Sequence, residues 1–302
     1  MRAIVTGANG FVGSNLVKKL VDNNIEVLAI DLSFNQSRLE DNKKIIKLEL
    51  SIDNIDKLKD KINNKYDIFY HFAWVGSAGP LRMDEKVQVQ NAMWTVDCLR
   101  LAHDIGCKKF ICAGTIMEYE VHAAMYAQES KPGMPYIYGV GKVLAHELCK
   151  PIANQLGIDL IWAYITNAYG IGEKSPRFIN TTLRKIINNE PLEFTSGIQN
   201  YDFVYIDDVA NAFYLIGLHG KKNKGYMIGS GHARPLKEFI IEMCKENAKD
   251  NKPLFGNVPF TGVNVDINTF DIGELVKDCG FEPKISFAEG TKRTIEWLKR
   301  VD

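Results

Sequence analysis

Two side chains in this sequence have the types and the spacing for proton transfer. Tyr138 and Lys142, in Tyr138-Gly139-Val140-Gly141-Lys142, stand four residues apart, so on a helix they share one face about 5–6 Å apart. A free phenol with a pKa of ~10 is a poor acid–base group at neutral pH, and a neighbouring ammonium favours the phenolate. Such a pair can pass a proton to or from an alcohol or a ketone. Tyr-x-x-x-Lys occurs by chance in many chains, so its weight depends on what precedes it.

What precedes it is a glycine-rich turn between an apolar strand and an amphipathic helix, Thr6-Gly7-Ala8-Asn9-Gly10-Phe11-Val12-Gly13-Ser14-Asn15-Leu16. Glycine lets the backbone turn tightly and approach a pyrophosphate, whose charge then sits against the free N–H groups and positive dipole end of the helix. The turn, with Gly7, Asn9, Gly10, Phe11, Val12 and Gly13, therefore reads as a dinucleotide site. The second strand ends in Asp31, eighteen residues after Gly13. A carboxylate there can accept both ribose hydroxyls of NAD and repels an added 2′-phosphate, so NAD is the expected cofactor. Arg38 and Lys43 follow closely and leave NADP as the alternative.

The elements that must position these residues are legible in the apolar pattern. Strand-like runs at 2–6, 26–31, 45–50, 68–72, 109–113 and 159–165 alternate with helix-spaced stretches at 12–23, 53–63, 88–105 and 140–156. That alternation predicts an α/β fold with a Rossmann-type, doubly wound parallel sheet. After Tyr169 the pattern loosens into Gly- and Pro-punctuated segments, with a return to strand and helix at 203–216. We expect a nucleotide-binding domain over 1–166 plus about 203–218, and a smaller interleaved substrate lobe over 167–202 and 219–302.

Composition narrows the function further. The chain has 302 residues, 46% hydrophobic and 25% charged, and Lys plus Arg equal Asp plus Glu at 37 each. No basic excess exists to neutralise a phosphate backbone, which argues against nucleic acid as a partner. Six cysteines without a CxxC pair read as reduced core thiols, and six histidines without HxH or HExxH spacing predict no metal site. The absence of a long apolar run predicts no membrane span, and the expected location is the cytoplasm. His71, on a strand predicted to be buried, reads as a core histidine.

With these residues in place, the chain resembles the extended short-chain dehydrogenase/reductases, which include nucleotide-sugar epimerases, dehydratases and ketoreductases. Besides Gly7, Gly10 and Gly13, the resemblance rests on Tyr70-His71-Phe72-Ala73-Trp74, Asn91, Phe110 through Tyr119, Asn167-Ala168-Tyr169-Gly170, Asp202 through Ala210, and the terminal stretch from Phe281 to Trp297. It implies that Phe72, Ala73, Trp74 and Asn91 lie beside the cofactor. It also places Thr115 on the catalytic Ser/Thr position, with Tyr138 moving the proton and Lys142 tuning Tyr138 while holding the nicotinamide ribose. Homodimers pairing the helices near Asn91 and Tyr138 into a four-helix interface follow from the same resemblance.

Departures from the family pattern shape the expected reaction. The 4,6-dehydratases carry Asp-Glu directly after the catalytic threonine, whereas Ile116 and Met117 stand here and cannot transfer protons. A double epimerase working through a cysteine at position 117 is disfavoured for the same reason. Reduction of a 4-keto-6-deoxy sugar nucleotide is the first expectation, because Ala113-Gly114-Thr115-x-x-Glu118-Tyr119 resembles the 4-ketoreductases; 4-epimerisation is the alternative, and a non-catalytic dinucleotide sensor the reading of another class. Tyr164 and Tyr201 replace two usual arginines, so the substrate diphosphate must find cations among Lys174, Arg177, Arg184 and Arg234, with Arg177 favoured. Ser51 replaces the aspartate that often reads adenine, leaving Ser51 and the backbone of Ile52. Ser77, in the loop after the fourth strand, and Asn167 complete the expected substrate contacts.

Overall fold

The computed structural model describes residues 1–126, 131–247 and 252–301. Seven parallel strands form the central sheet: β1 (Arg2–Thr6), β2 (Glu26–Asp31), β3 (Ile45–Glu49), β4 (Ile68–His71), β5 (Lys109–Thr115), β6 (Asp159–Ile165) and β7 (Lys224–Ile228). Their spatial order is 3-2-1-4-5-6-7, with the direction of winding reversing between β1 and β4. Strands buried on both faces must be apolar throughout, and β1 shows why its sequence qualifies. Ala3 and Val5 point into the apolar layer beneath α1 (Phe11–Asp22), while Ile4 points into the opposite layer.

That opposite layer is built from α2 (Glu85–Asp104) and α4 (Tyr136–Leu156), which pack side by side, and α3 (Met117–Tyr126) lies against α4. The α4 helix begins at Tyr136, four residues ahead of the predicted stretch, so Tyr138 falls in its first turn. The remaining described α-helices are α5 (Phe178–Ile187), α6 (Ile206–His219), α7 (Leu236–Asn247), α8 (Gly273–Cys279) and α9 (Phe287–Val301). Here α6 packs on α1 and so belongs with the sheet, whereas α5, α7 and α9 pack on one another.

Two assignments differ from the pattern reading. Lys224–Ile228, expected in the second lobe, pairs parallel with β6 as the edge strand of the central sheet. Phe203–Tyr205 instead pairs with Asn167–Tyr169 in a separate two-stranded ribbon. Hydrogen-bond registers between segments far apart in sequence decide both placements, and apolar periodicity carries no such information. An aromatic cluster packs this ribbon against α7 and α9: Phe203 meets Phe239 at 5.0 Å and Phe287 at 5.5 Å, and Tyr169 meets Phe287 at 5.6 Å. Among the described residues, no helix is long and apolar enough to cross a membrane.

Candidate active site

A cleft of about 770 Å³ opens along the carboxyl ends of the strands, across the point where the strand order reverses. Open α/β sheets place ligands there because loops diverge on either side of that point. The glycine-rich turn forms one wall. Gly7 adopts φ +66°, and a Cβ on it would lie 2.7 Å from the Ala73 nitrogen; a Cβ on Gly13 would lie 2.1 Å from the Gly7 carbonyl oxygen. These contacts let β1, β4 and α1 converge. No side chain caps α1, and its first residues, Phe11, Val12 and Gly13, line the cleft. A pyrophosphate fits such an end by charge and by hydrogen bonding.

Asp31 lies in the same wall and accepts hydrogen bonds from the Asn9 N–H at 2.8 Å and the Leu32 N–H at 2.7 Å, which hold its carboxyl in place. The Asn9 side chain in turn accepts from the Arg38 N–H at 2.7 Å. Arg38 also lines the cleft, its guanidinium bonded to the Gly172 carbonyl in the segment after Tyr169, while Lys43 is not among the lining residues. Ser51 and Ile52 line the far end, joined by Asp53; Phe72, Ala73 and Trp74 line the middle.

Thr115, Tyr138 and Lys142 face this same cleft. Lys142 Nζ donates to the Ala113 carbonyl at 2.8 Å, lies 3.5 Å over the Trp74 ring centroid and 6.0 Å from that of Tyr138. Its ammonium is therefore held in the cleft wall by a carbonyl dipole and an aromatic face. Thr115 ends β5, and its Oγ1 accepts from the Met117 N–H at 3.3 Å, which leaves the hydroxyl proton for an oxygen in the cleft.

Behind Thr115 stands a residue whose role the sequence reading missed. Glu118 is 2% exposed and accepts from the Thr115 N–H at 2.8 Å and from the Trp162 indole N–H at 3.0 and 3.1 Å. The His146 ring stacks on Trp162 with centroids 4.3 Å apart. Glu118 belongs to the stretch that resembled the family, yet its partner Trp162 arrives from β6. Arg82 was missed as well; its guanidinium lies 4.0 Å from the Tyr138 ring centroid.

Other expected site residues are placed elsewhere. Asn91 lies two turns inside α2 and not at its start; it is 2% exposed, accepts from the Val75 N–H at 2.9 Å and donates to the Val75 carbonyl at 2.8 Å. It clamps the loop after β4 and does not line the cleft. Asn167 donates to the Asp202 carbonyl at 3.0 Å, and Arg234 pairs with Glu242 and packs 4.2 Å over Phe239; neither lines the cleft. Ser77, Lys174 and Arg177 do line it, with Arg177 Nε 3.2 Å from Glu173. Tyr164 shares a hydrogen bond of 3.2 Å with His146, and burial pushes the phenol of Tyr201 up to about 12. His71 is buried between Thr6 and Thr95 at 2.9 and 3.2 Å, and burial lowers it to about 3, which keeps it a neutral core residue.

Curated relatives match over nearly the whole chain. A UDP-glucuronate 4-epimerase from Thermodesulfobacterium geofontis is 27% identical, covering 98% of this chain and 95% of that one. A dTDP-4-dehydro-6-deoxyglucose reductase from Escherichia coli is 23% identical, covering 98% and 97%. Among solved structures, the UDP-glucuronic acid 4-epimerase from Bacillus cereus in complex with UDP-glucuronic acid and NAD superposes with a TM-score of 0.79 at 22% identity, covering all of both chains. The sequence model of the NAD dependent epimerase/dehydratase family matches residues 3–229, three quarters of the chain, and the protein belongs to that family.

Proposed function

We propose that the protein binds NAD in the cleft and acts by oxidation and reduction at C4 of a nucleotide sugar, with 4-epimerisation as the net reaction. The observation that carries this reading is the convergence of Thr115, Tyr138 and Lys142 on one cleft with the uncapped glycine turn and Asp31. Bound NAD supplies a carbon that takes up and returns hydride. The chain supplies the rest. Tyr138 takes the proton from the C4 hydroxyl during oxidation and returns one to the C4 ketone during reduction. Thr115 donates its hydroxyl proton to the same oxygen, and the buried Lys142 charge supports the phenolate. Gly7, Gly10 and Gly13 seat the pyrophosphate, Asp31 the adenosine ribose, and Ser51 and Ile52 the adenine. Arg177 and Lys174 meet the substrate diphosphate, and Ser77 the sugar.

Elimination of water needs a further acid and base after the threonine, and Ile116 and Met117 supply neither. The held Asp31 carboxyl supports NAD over NADP and so supports the epimerase, which must keep its cofactor through both half-reactions. Reduction of a 4-keto-6-deoxy sugar nucleotide is the second reading, favoured by the Ala113–Tyr119 resemblance and by Arg38 in the cleft wall.

Purified protein incubated with UDP- and dTDP-hexoses tests both. Conversion between C4 epimers without net change at 340 nm supports the first reading, and NAD(P)H consumption confined to a 4-keto-6-deoxy sugar nucleotide supports the second. Tyr138→Phe is expected to lower turnover at least about 10²-fold with dinucleotide affinity unchanged. Retention of most turnover in that variant sinks Tyr138 as the acid–base group.

A further inference from the structure

Arg82 lies on the short 3₁₀ turn Pro80–Met83 ahead of α2, and the chemistry proposed above leaves it without a role. Its guanidinium carbon stands 4.0 Å from the Tyr138 ring centroid, closer than the Lys142 ammonium at 6.0 Å. Lys142 is also engaged with the Ala113 carbonyl and the Trp74 ring. Arg82 is anchored from two sides: one amino group donates to the Ser77 carbonyl at 2.6 Å and the other meets the Met117 sulfur. The loop after β4 and the start of α3 thus hold a half-buried cation against one face of the Tyr138 ring.

Such a cation is attracted by the ring itself and more strongly by a phenolate. The charged and titratable groups around the pair are few. Tyr138 faces Lys142 from its own helix and Arg82 from the loop; Arg82 feels burial, which lowers its pKa, Tyr138 and Glu120, which oppose that, and Arg177, which adds to it. Burial raises Glu120 to about 7, with Arg82 opposing the rise, so Glu120 changes charge near neutrality. A guanidinium stays protonated throughout that range.

We propose that Arg82 is a positioning residue for Tyr138: it packs against the ring, fixing its orientation in the cleft, and acts with Lys142 as a second cation favouring the phenolate. This rests on Tyr138 being the acid–base group, but its test needs no sugar. Ionisation of Tyr138 is read at 295 nm in NAD-saturated protein, as the difference between the parent and Tyr138→Phe across a pH titration. The wavelength reports phenolates and does not record the Glu120 carboxyl.

The same difference taken in an Arg82→Gln background is expected to move to higher pH by about one unit, and an Arg82→Lys background to restore at least half of that shift. The NAD affinity of both variants is expected to match the parent, since Arg82 is absent from the glycine turn. A midpoint in Arg82→Gln that coincides with the parent overturns the proposal, and so does an Arg82→Lys shift as large as that of Arg82→Gln. If no nucleotide sugar turns over, the reaction proposed above fails while the 295 nm shift stays readable. If Tyr138→Phe abolishes turnover but Arg82→Gln leaves the titration in place, only the role of Arg82 fails.

Discussion

Replacing Glu118 by alanine asks whether the rear wall of the cleft sets the position of Thr115. The carboxyl accepts from two buried donors, the Thr115 N–H at 2.8 Å and the Trp162 indole N–H at 3.0 Å, and lies 3.6 Å from His146 Nδ1. Alanine orphans both donors at about 1–3 kcal/mol each and leaves a small cavity, for a total of about 3–5 kcal/mol. In a chain of this size each kcal/mol lowers Tm by about 2 °C, so the expected fall is about 6–10 °C in scanning calorimetry. Turnover is expected to drop about 10²-fold as the Thr115 main chain loses its anchor, with NAD affinity retained because the glycine turn lies on other elements. Glu118→Gln keeps an oxygen where both donors meet and is expected to cost about 1 kcal/mol. An alanine variant that melts within about 1 °C of the parent would refute the argument.

Three further outcomes follow from the same geometry. His71 is held neutral, with its pKa depressed from 6.5 to about 3 by burial, so its contribution to stability is complete above pH 6.5 and is lost as pH falls toward 3. Urea unfolding should show about 2 kcal/mol less stability from this group at pH 5 than at pH 7, and a His71→Gln variant with an unchanged slope would contradict it. Asp31→Ala should lower the preference for NAD over NADP at least tenfold in calorimetric titrations, because the carboxyl that repels a 2′-phosphate is gone; a constant ratio would discount that role. The outer faces of α2 and α4 expose Val89, Met93 and Val140, and we expect them to pair in a homodimer. Sedimentation velocity should find a dimer in the parent and a monomer in Met93→Glu, and a monomeric parent would remove the four-helix interface.

Much of the site was readable because it is local. The glycine turn, Asp31 at the end of a strand, and the Tyr138–Lys142 spacing each depend on neighbours within a few residues, and all three features reach the cleft. Asn91 shows the limit of a residue assigned by resemblance: its side-chain amide serves the Val75 backbone in both directions, which depends on where the loop after β4 runs. Asn167 and Arg234 were drawn off in the same way by Asp202 and Glu242. Glu118 and Arg82 went unread because their partners, Trp162 and Tyr138, come from distant strands and helices.

Local chemistry was thus written in the amino-acid order: which backbone can turn against a phosphate, which carboxyl ends a strand, which phenol shares a helical face with an ammonium. Folding in three dimensions decided which cation touches that phenol, which acid braces the threonine, and that residues 224–228 close the edge of the sheet. The division has a physical cause. Backbone conformation and i, i+4 neighbours depend on short stretches of chain, whereas a buried hydrogen bond or a cation on a ring requires two segments to meet, and strand register settles where they do.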